Sequence, residues 1–328
     1  NILNNIFKYK EKNEYEFVLP QSSNNISDNN FEKIDSEVVS PNLNTNLDYL
    51  KIKYNMLINK DIKIRDFVLT IQGKKVPAFL LYIDGMVDND NINNFVLEPL
   101  LLRNSIKMKD SATQSQTPTI QNRTLKFNLE NFIYSSLIPQ NSVSKENEFK
   151  NIITKVNSGF CALFVESLSN ALCIESKGFK TRNIDKPVTE SVVKGSHEGF
   201  VENLRTNTSM LRKIVNNEKL IIEETTVGKL NKTQVAICYL KDITNDDLIA
   251  EVRYRLNNLD VDYILSSNQL EQFIKDSATT AFPQTISTER SDKAANYLML
   301  GRIVVLVNGS PFSIILPAVL VDFLINFS

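Results

Sequence analysis

Two stretches of this chain are each written twice, in the same order. AFLLYIDGMVDND, near Ala78, is echoed by AICYLKDITNDD, near Ala236, with Tyr82 opposite Tyr239. GFCALFVESLSNALCI, from Gly159, is echoed without a gap by GRIVVLVNGSPFSIIL, from Gly301. One such match has little weight. Two in the same order point to an internal duplication. A chain of 328 residues is also long for a single core. The expected fold is therefore α/β with mixed α+β sheets. Two similar subdomains are joined by a connector helix, with a cleft between them. The expected divisions are a polar arm over 1–44, an N-terminal subdomain over 45–190, and the connector with a C-terminal subdomain over 191–328.

Periodicity fills in the copies. The first copy reads as a helix over 45–59, with Leu47, Leu50, Tyr54 and Leu57 on one side, then a hairpin of 66–72 and 76–83 turning at Gly73. A helix over 91–102 follows, kinked or ended by Pro99. Residues 104–123 read as a polar loop, and 130–137 as a short helix or strand. A helix over 144–156 is capped by Ser144, and a hairpin of 160–165 and 171–175 closes the copy. The second copy opens with a helix over 199–216. Strands over 219–226 and 234–240 turn at Gly228. A helix over 245–257, a short strand over 262–265 and a helix over 268–277, capped near Ser266 or Ser267, follow. A helix over 292–300 is stopped by Gly301. The hairpin of 302–307 and 312–316 turns at Asn308-Gly309.

The junction, KGSHEGFVENLRTNTSMLRKIV over 194–215, carries the densest pattern. Gly195 breaks the preceding segment and the helical pattern starts at Gly199. Phe200, Leu204, Leu211 and Val215 share one face, while Glu202, Arg205, Arg212 and Lys213 fall mostly elsewhere. Glu198 suits the positive end of the helix dipole, and Arg212 and Lys213 the negative end. The plain reading is a charged connector with one buried stripe. The functional reading turns Arg205 and Asn207 into the cleft. A second polar cluster, 288–292, divides the same way. In the plain reading Ser291 or Asp292 caps the next helix, while Glu289 and Arg290 pair with neighbours. In the functional reading Arg290 brings its planar fork to a carboxylate in the cleft. Arg205, Asn207, Glu289 and Arg290 are thus the candidate ligand contacts. Gly195, Gly199, Gly228, Ser291, Gly301 and Gly309 are candidate turns and caps.

Several function classes find no support. A formal net charge of −1 leaves no nucleic-acid footprint. His197 is the single histidine and sits in a Gly-rich turn, which argues against a His-based metal site or triad. Cys161, Cys173 and Cys238 lie in apolar runs without CxxC spacing and read as buried thiols. No phosphate loop, dinucleotide fingerprint, nucleophile elbow or HExxH is present. The reading is a non-enzymatic chain with no cofactor and no metal. No run of about 20 apolar residues spans a membrane. The chain opens on Asn1, and the tract over 312–327 is interrupted by Pro317 and Asp322, so a fragment of a longer protein is expected.

The motifs resemble a known family. KGSHEGFVENLRTNTSMLRKI resembles the RGPxEGFxExLxxNxxLIRRR signature of GerA-type spore germinant receptor A subunits. FPQTISTERSDKAANYLMLGRIVVLVNGSPFSIILPAVLVDFL resembles that family's FPQxxxTERPDxxxxxLxxGRVxIxVDGxPxxLxxPxxFxDFF, and FLLYIDGMVDND its LYIDGLVD stretch. The likeness runs from about Asp61 to the end and is weak over 105–140. Ser196 and Ser291 replace family prolines, Lys194 an arginine and Asn308 an aspartate. SpoVAF-like paralogues share this text. The resemblance implies the soluble N-terminal domain of a membrane protein. Transmembrane helices would follow just past 317–327. The domain would lie on the cytoplasmic, core-facing side of the spore inner membrane, with B and C subunits as partners. It would sense or transmit a nutrient signal such as an amino acid, and A subunits could also self-associate. The alternative is an assembly scaffold that binds no ligand.

Overall fold

A computed structural model of the chain describes residues 37–71, 73–102, 128–178, 198–275, 283–319 and 322. Within them the chain forms two five-stranded antiparallel sheets. The first comprises β1 (Ile62–Ile71), β2 (Lys74–Ile83), β3 (Val143–Glu146), β4 (Phe160–Val165) and β5 (Ala171–Glu175) in the order β1-β2-β4-β5-β3. The second comprises β6 (Leu220–Val227), β7 (Thr233–Leu240), β8 (Ile286–Thr288), β9 (Ile303–Val307) and β10 (Ser313–Leu316) in the order β6-β7-β9-β10-β8. The two orders are one order, shifted by five strands.

Register makes the correspondence residue-by-residue. Leu81 lies opposite Ala162, and Cys238 opposite Val304. Ala162 and Val304 hold the same place in the two gap-free repeats, so Tyr82 and Tyr239 are equivalent, as the text suggested.

Each sheet is covered on both faces, which explains why strands such as FCALFV are apolar throughout rather than alternating. In the first lobe α1 (Leu43–Lys53) and α4 (Phe149–Asn157) cover one face, where Leu50, Tyr54, Phe149 and Ile152 meet Phe79, Leu81 and Phe164. On the other face lie α2, built from Asn89–Ile92, a π turn over Asn93–Leu97 and Glu98–Leu101, and α3, Leu129–Phe132 with a π turn over Ile133–Leu137. In the second lobe α5 (Leu204–Ile214) and α8 (Ser291–Met299) share one face, and α6 (Asp246–Asn257) and α7 (Ser267–Ile274) the other.

Several expectations shift. The first helix ends at Lys53 because Asn55 takes φ 48, so Leu57 is 93% exposed rather than on the buried side. Ser144 lies in strand β3 and caps nothing; its helix starts at Phe149 after Glu148. The strand expected over 262–265 is irregular backbone, and β8 is present where none was expected. Pro99 follows directly on the π turn over Asn93–Leu97, and the helical backbone of α2 runs on through it to Leu101. The connector helix starts at Leu204, not Gly199, with Asn203 as N-cap accepting from Thr206 N at 2.9 Å. Ser291 is no N-cap: Arg290 holds that position without a side-chain bond. Gly228, Gly301 and Gly309 all turn with φ between 82 and 99. The arm over 1–36, the loop over 104–123, Gly195 and His197 lie outside the described residues.

A candidate site at the seam between the lobes

The stretch from Glu198 to Asn203 runs extended because the 288–292 cluster holds it. Phe200 N donates to Glu289 O at 2.7 Å, Gly199 bridges Arg290, and Ser291 Oγ donates to Glu198 O at 2.9 Å. The two richest motifs of the chain are thus one structure. Asn207, fully buried in the first turns of α5, completes it. Its Oδ1 accepts from Val201 N at 2.8 Å and its Nδ2 donates to Val201 O at 2.5 Å. That pairs both backbone groups of the half-buried Val201.

The first lobe repeats this device. Asn46 Oδ1 accepts from Ser40 N at 2.8 Å and Nδ2 donates to Ser40 O at 2.6 Å. Val39 N donates to Asn147 O, and Val38 bridges Glu148. The letters carried the signal: NLNTN over 42–46 and NLRTN over 203–207 are a third repeat, missed because it is short. Asn42 and Asn203, the first letters, are the N-caps of α1 and α5.

Arg290 pairs with its neighbour Asp292. It holds Asp292 with both arms, Nε to Oδ1 at 3.1 Å and Nη2 to Oδ2 at 2.7 Å. That hydrogen-bonded guanidinium keeps the Asp292 carboxyl below the usual range. Glu289 is buried at the start of this segment. Arg205 points the other way, to Asp84 in the first lobe. Of the four candidates, Asn207, Glu289 and Arg290 gather around the 198–203 loop and Arg205 stands apart.

The residue that joins the lobes most firmly is Arg212, which sequence reasoning placed mostly off the apolar stripe of the helix. Its side chain is 2% exposed. Nε donates to Asp61 Oδ2 at 2.7 Å and Nη2 to Asp61 Oδ1 at 2.9 Å, a bidentate fork. Nη2 also reaches Asn59 Oδ1 at 3.0 Å, and Nη1 reaches Asn217 O at 3.4 Å. Asn59 accepts from Ile222 N at 3.0 Å, and Lys60 N donates to Ile222 O at 3.1 Å, so the segment before β1 covers the free edge of β6. Tyr54 lies beside this group and donates its hydroxyl to Asn157 Oδ1 at 3.1 Å. Burial pushes the Tyr54 phenol up, with Arg212 working against it. Gly85, with φ 87, lies against α5: a Cβ there would stand 3.2 Å from Ser209 Cβ. The seam is completed by Lys53 with Glu218 at 3.5 Å and Lys241 Nζ with Asn55 Oδ1 at 2.7 Å.

The two cavities described both lie in the second lobe, and none of Arg205, Asn207, Glu289 or Arg290 lines them. Among the described residues no group of three or more His, Cys, Asp or Glu is placed to hold a metal ion. Among them, too, no helix is long and apolar enough to cross a membrane.

Comparison with known proteins agrees with the motifs. The family model described as Bacillus/Clostridium GerA spore germination protein matches residues 48–327. Spore germination protein B1 of Bacillus subtilis is 32% identical over 87% of this chain and 54% of its own length. Spore germination protein KA of the same organism is 31% identical over 89% of this chain and 50% of its own. Stage V sporulation protein AF is also 31% identical, over 84% and 52%. The chain therefore spans about half the length of the curated relatives it matches. In three dimensions it is similar to the N-terminal domain of the A subunit of the Bacillus megaterium germinant receptor GerK3. The TM-score is 0.59 at 28% identity, covering 86% of this chain and 97% of that one. With 280 consecutive residues under the family model, the chain belongs to the GerA family of spore germination proteins.

Proposed function

We propose that this chain is the N-terminal domain of a spore germinant receptor A subunit, and that its two lobes act as one rigid body passing on a germination signal. It is not a clamp that closes on a nutrient. The observation that carries this reading is the Arg212–Asp61 fork, 2% and 7% exposed, which ties the connector helix to the opposite lobe. A hinge needs few interactions to break when it opens. Here opening would strip a buried carboxylate of its only bidentate partner in the described seam, a cost of about 3–5 kcal/mol. The surrounding seam adds Asn59, which bonds to both lobes at once. In this reading Arg205, Asn207, Glu289 and Arg290 set the shape of the joint rather than grip a ligand. The partners are the B and C subunits and further A subunits, and the full receptor sits in the spore inner membrane with this domain on the core side. The domain performs no catalysis.

The test is an interlobe distance. Spin labels on exposed Lys63 of β1 and Lys232 beside β7 report separation by double electron–electron resonance. One narrow distribution, unchanged by candidate nutrient amino acids, is expected. A second distribution that grows saturably with any of them would restore the clamp, with the four candidates as its contacts.

A further inference from the structure

The two copies part where each leaves its last strand. In the first lobe the chain beyond β5 runs on and lies against the turn after β2. Val87 and Lys177 form an antiparallel bridge, Asp88 N donates to Ser176 O at 2.7 Å, and Gly178 N donates to Met86 O at 3.2 Å. Counted on from the repeats, Ile243, Thr244 and Asn245 hold the places of Met86, Val87 and Asp88, and 318–320 those of 176–178. Asp88 and Asn245 agree in role, since each caps the helix that follows. In the second lobe the bridge is not made. Ala318 N donates instead to Gln284 O at 2.9 Å, Val319 N donates to Asp322 Oδ2 at 2.8 Å, and both arms of Arg302 hold Asp322. Gly178 supplies a reason. A Cβ there would overlap Asp88 N and Cα, so the bridge requires glycine, and the second copy has Leu320 at that place in its text. An open strand position is left. Among the described residues neither Ile243 O nor Asn245 N has a hydrogen-bond partner. Thr244 Oγ1, between them, is buried and unpartnered, which is costly to keep where the sibling lobe has valine. Ile243 is 56% exposed against 1% for Met86, and a Cβ on Gly301 would stand 3.3 Å from Ile243 Cγ2, so Ile243 lies beside the exposed Leu300.

We infer that Ile243–Asn245 is a docking site for an extended, glycine-bearing segment of an unlike polypeptide, which adds a short antiparallel bridge to the second lobe. The first lobe displays the geometry. Backbone N–H and C=O groups supply the pairing, as in strand addition to a sheet edge. The glycine lets the segment lie flat on the residue that caps the next helix. The residue before it lays an aliphatic stem over the neighbouring turn, as Lys177 Cγ lies 3.0 Å from where a Cβ on Gly159 would be. Over Ile243 and Leu300 the same stem would cover apolar surface that the second lobe leaves bare. A second copy of this chain has no such segment to lend among its described residues. Of its nine glycines, six take positive φ in turns, Gly178 is engaged in its own bridge, Gly199 bridges Arg290, and Gly195 lies outside the described residues. The inference does not rest on a rigid joint, because every group it uses belongs to the second lobe.

The test titrates the 328-residue chain with the acetylated, amidated peptide IESKG, the text of 174–178, into the millimolar range while 15N chemical shifts are followed. Saturable shifts centred on 243–245, Leu300 and Gly301 are expected, with 86–88 unmoved because their own strand is in place. The peptide IESKV should bind about tenfold more weakly, since its last residue carries the Cβ that the bridge excludes. Ile243→Asp, at a largely exposed side chain, should weaken IESKG by a similar factor while the melting temperature holds. No saturable shift, equal binding of the valine peptide, shifts centred on 86–88, or undiminished binding to Ile243→Asp would each overturn the assignment. Sedimentation of the chain alone should show no dimer that depends on Ile243. A dimer that Ile243→Asp dissolves would give the site to a second copy and overturn the unlike partner. Failure of the peptide to bind, with an unchanged interlobe distance, would sink this site and leave the seam standing.

Discussion

Arg212→Met is the substitution that asks most of this structure. Methionine keeps much of the side-chain volume and removes the charge. It leaves Asp61, 7% exposed, without the guanidinium that holds both its oxygens. Breaking a buried pair by removing one partner costs about 3–5 kcal/mol. Asn59 also loses a bond at 3.0 Å, which supports the upper part of that range. Residues 36–328 form one compact unit. At roughly 2.1 cal/mol/K per residue, its unfolding entropy near the midpoint is about 0.6 kcal/mol/K, so the melting temperature should fall by about 5–8 °C. Arg212→Lys should recover little, since an ammonium cannot make the fork. The double variant Arg212→Met, Asp61→Leu should recover most of the loss, because apolar replacement of a whole buried pair is often neutral. Differential scanning calorimetry on the wild type, Arg212→Met, Asp61→Leu and the double variant gives the coupling directly. A fall below about 1 °C for Arg212→Met, or a double variant that melts at the sum of the two single losses, would refute the reasoning.

Asn46→Ala and Asn207→Ala should each cost about 1–3 kcal/mol and match one another closely, since each strands one N–H and one C=O of an equivalent turn; urea unfolding of the two proteins checks this. Gly85→Ala should destabilise by about 1–3 kcal/mol through its positive φ and the approach to Ser209. The equivalent residue Asp242 already holds φ 71, and Asp242→Gly should be neutral or slightly stabilising in the same assay. Burial raises the Cys161 and Cys173 thiols to about 12 and pushes Cys238 up as well, so a thiol reagent at pH 8 should label none in the native protein and all three in denaturant. The Asp292 carboxyl is depressed by its bond to Arg290, so its stabilisation is complete above the unfolded value and is lost as pH falls through the lower folded one. Asp292→Asn should therefore flatten the stability profile below about pH 4, read as melting temperature against pH.

The hairpins were legible because each carries its own punctuation. Gly73, Gly228 and Asn308-Gly309 turn where the text changes from apolar to polar, and β4 and β5 have the bounds that the apolar runs gave. The short edge strands β3 and β8 were not legible. Three or four residues with mixed burial carry no period, and their place is fixed by β5 and β10, far away in sequence. The start of the connector helix was misread for a related reason. Phe200 fits a helical stripe and is buried with it, yet Glu289 draws its backbone into an extended bridge. Arg212 was misread because its charged partner, Asp61, lies in the other lobe. No local pattern distinguishes it from Lys213 beside it, which is 40% exposed and pairs with Glu198. The π turns in α2 and α3 had no signal in the letters.

The matching strand orders have a last consequence. Arg212 is the ninth residue of its helix, and the ninth of the first helix is Lys51. Asp61 precedes its hairpin and accepts from Asp84 N, while in the second hairpin Lys219 holds that place and accepts from Lys241 N. Two N-terminal halves set face to face would bring lysine to aspartate. Two C-terminal halves would bring arginine to lysine and repel. Though the architecture was copied, its fastening was written only once, so an unlike pair of siblings is the combination that this joint fits best.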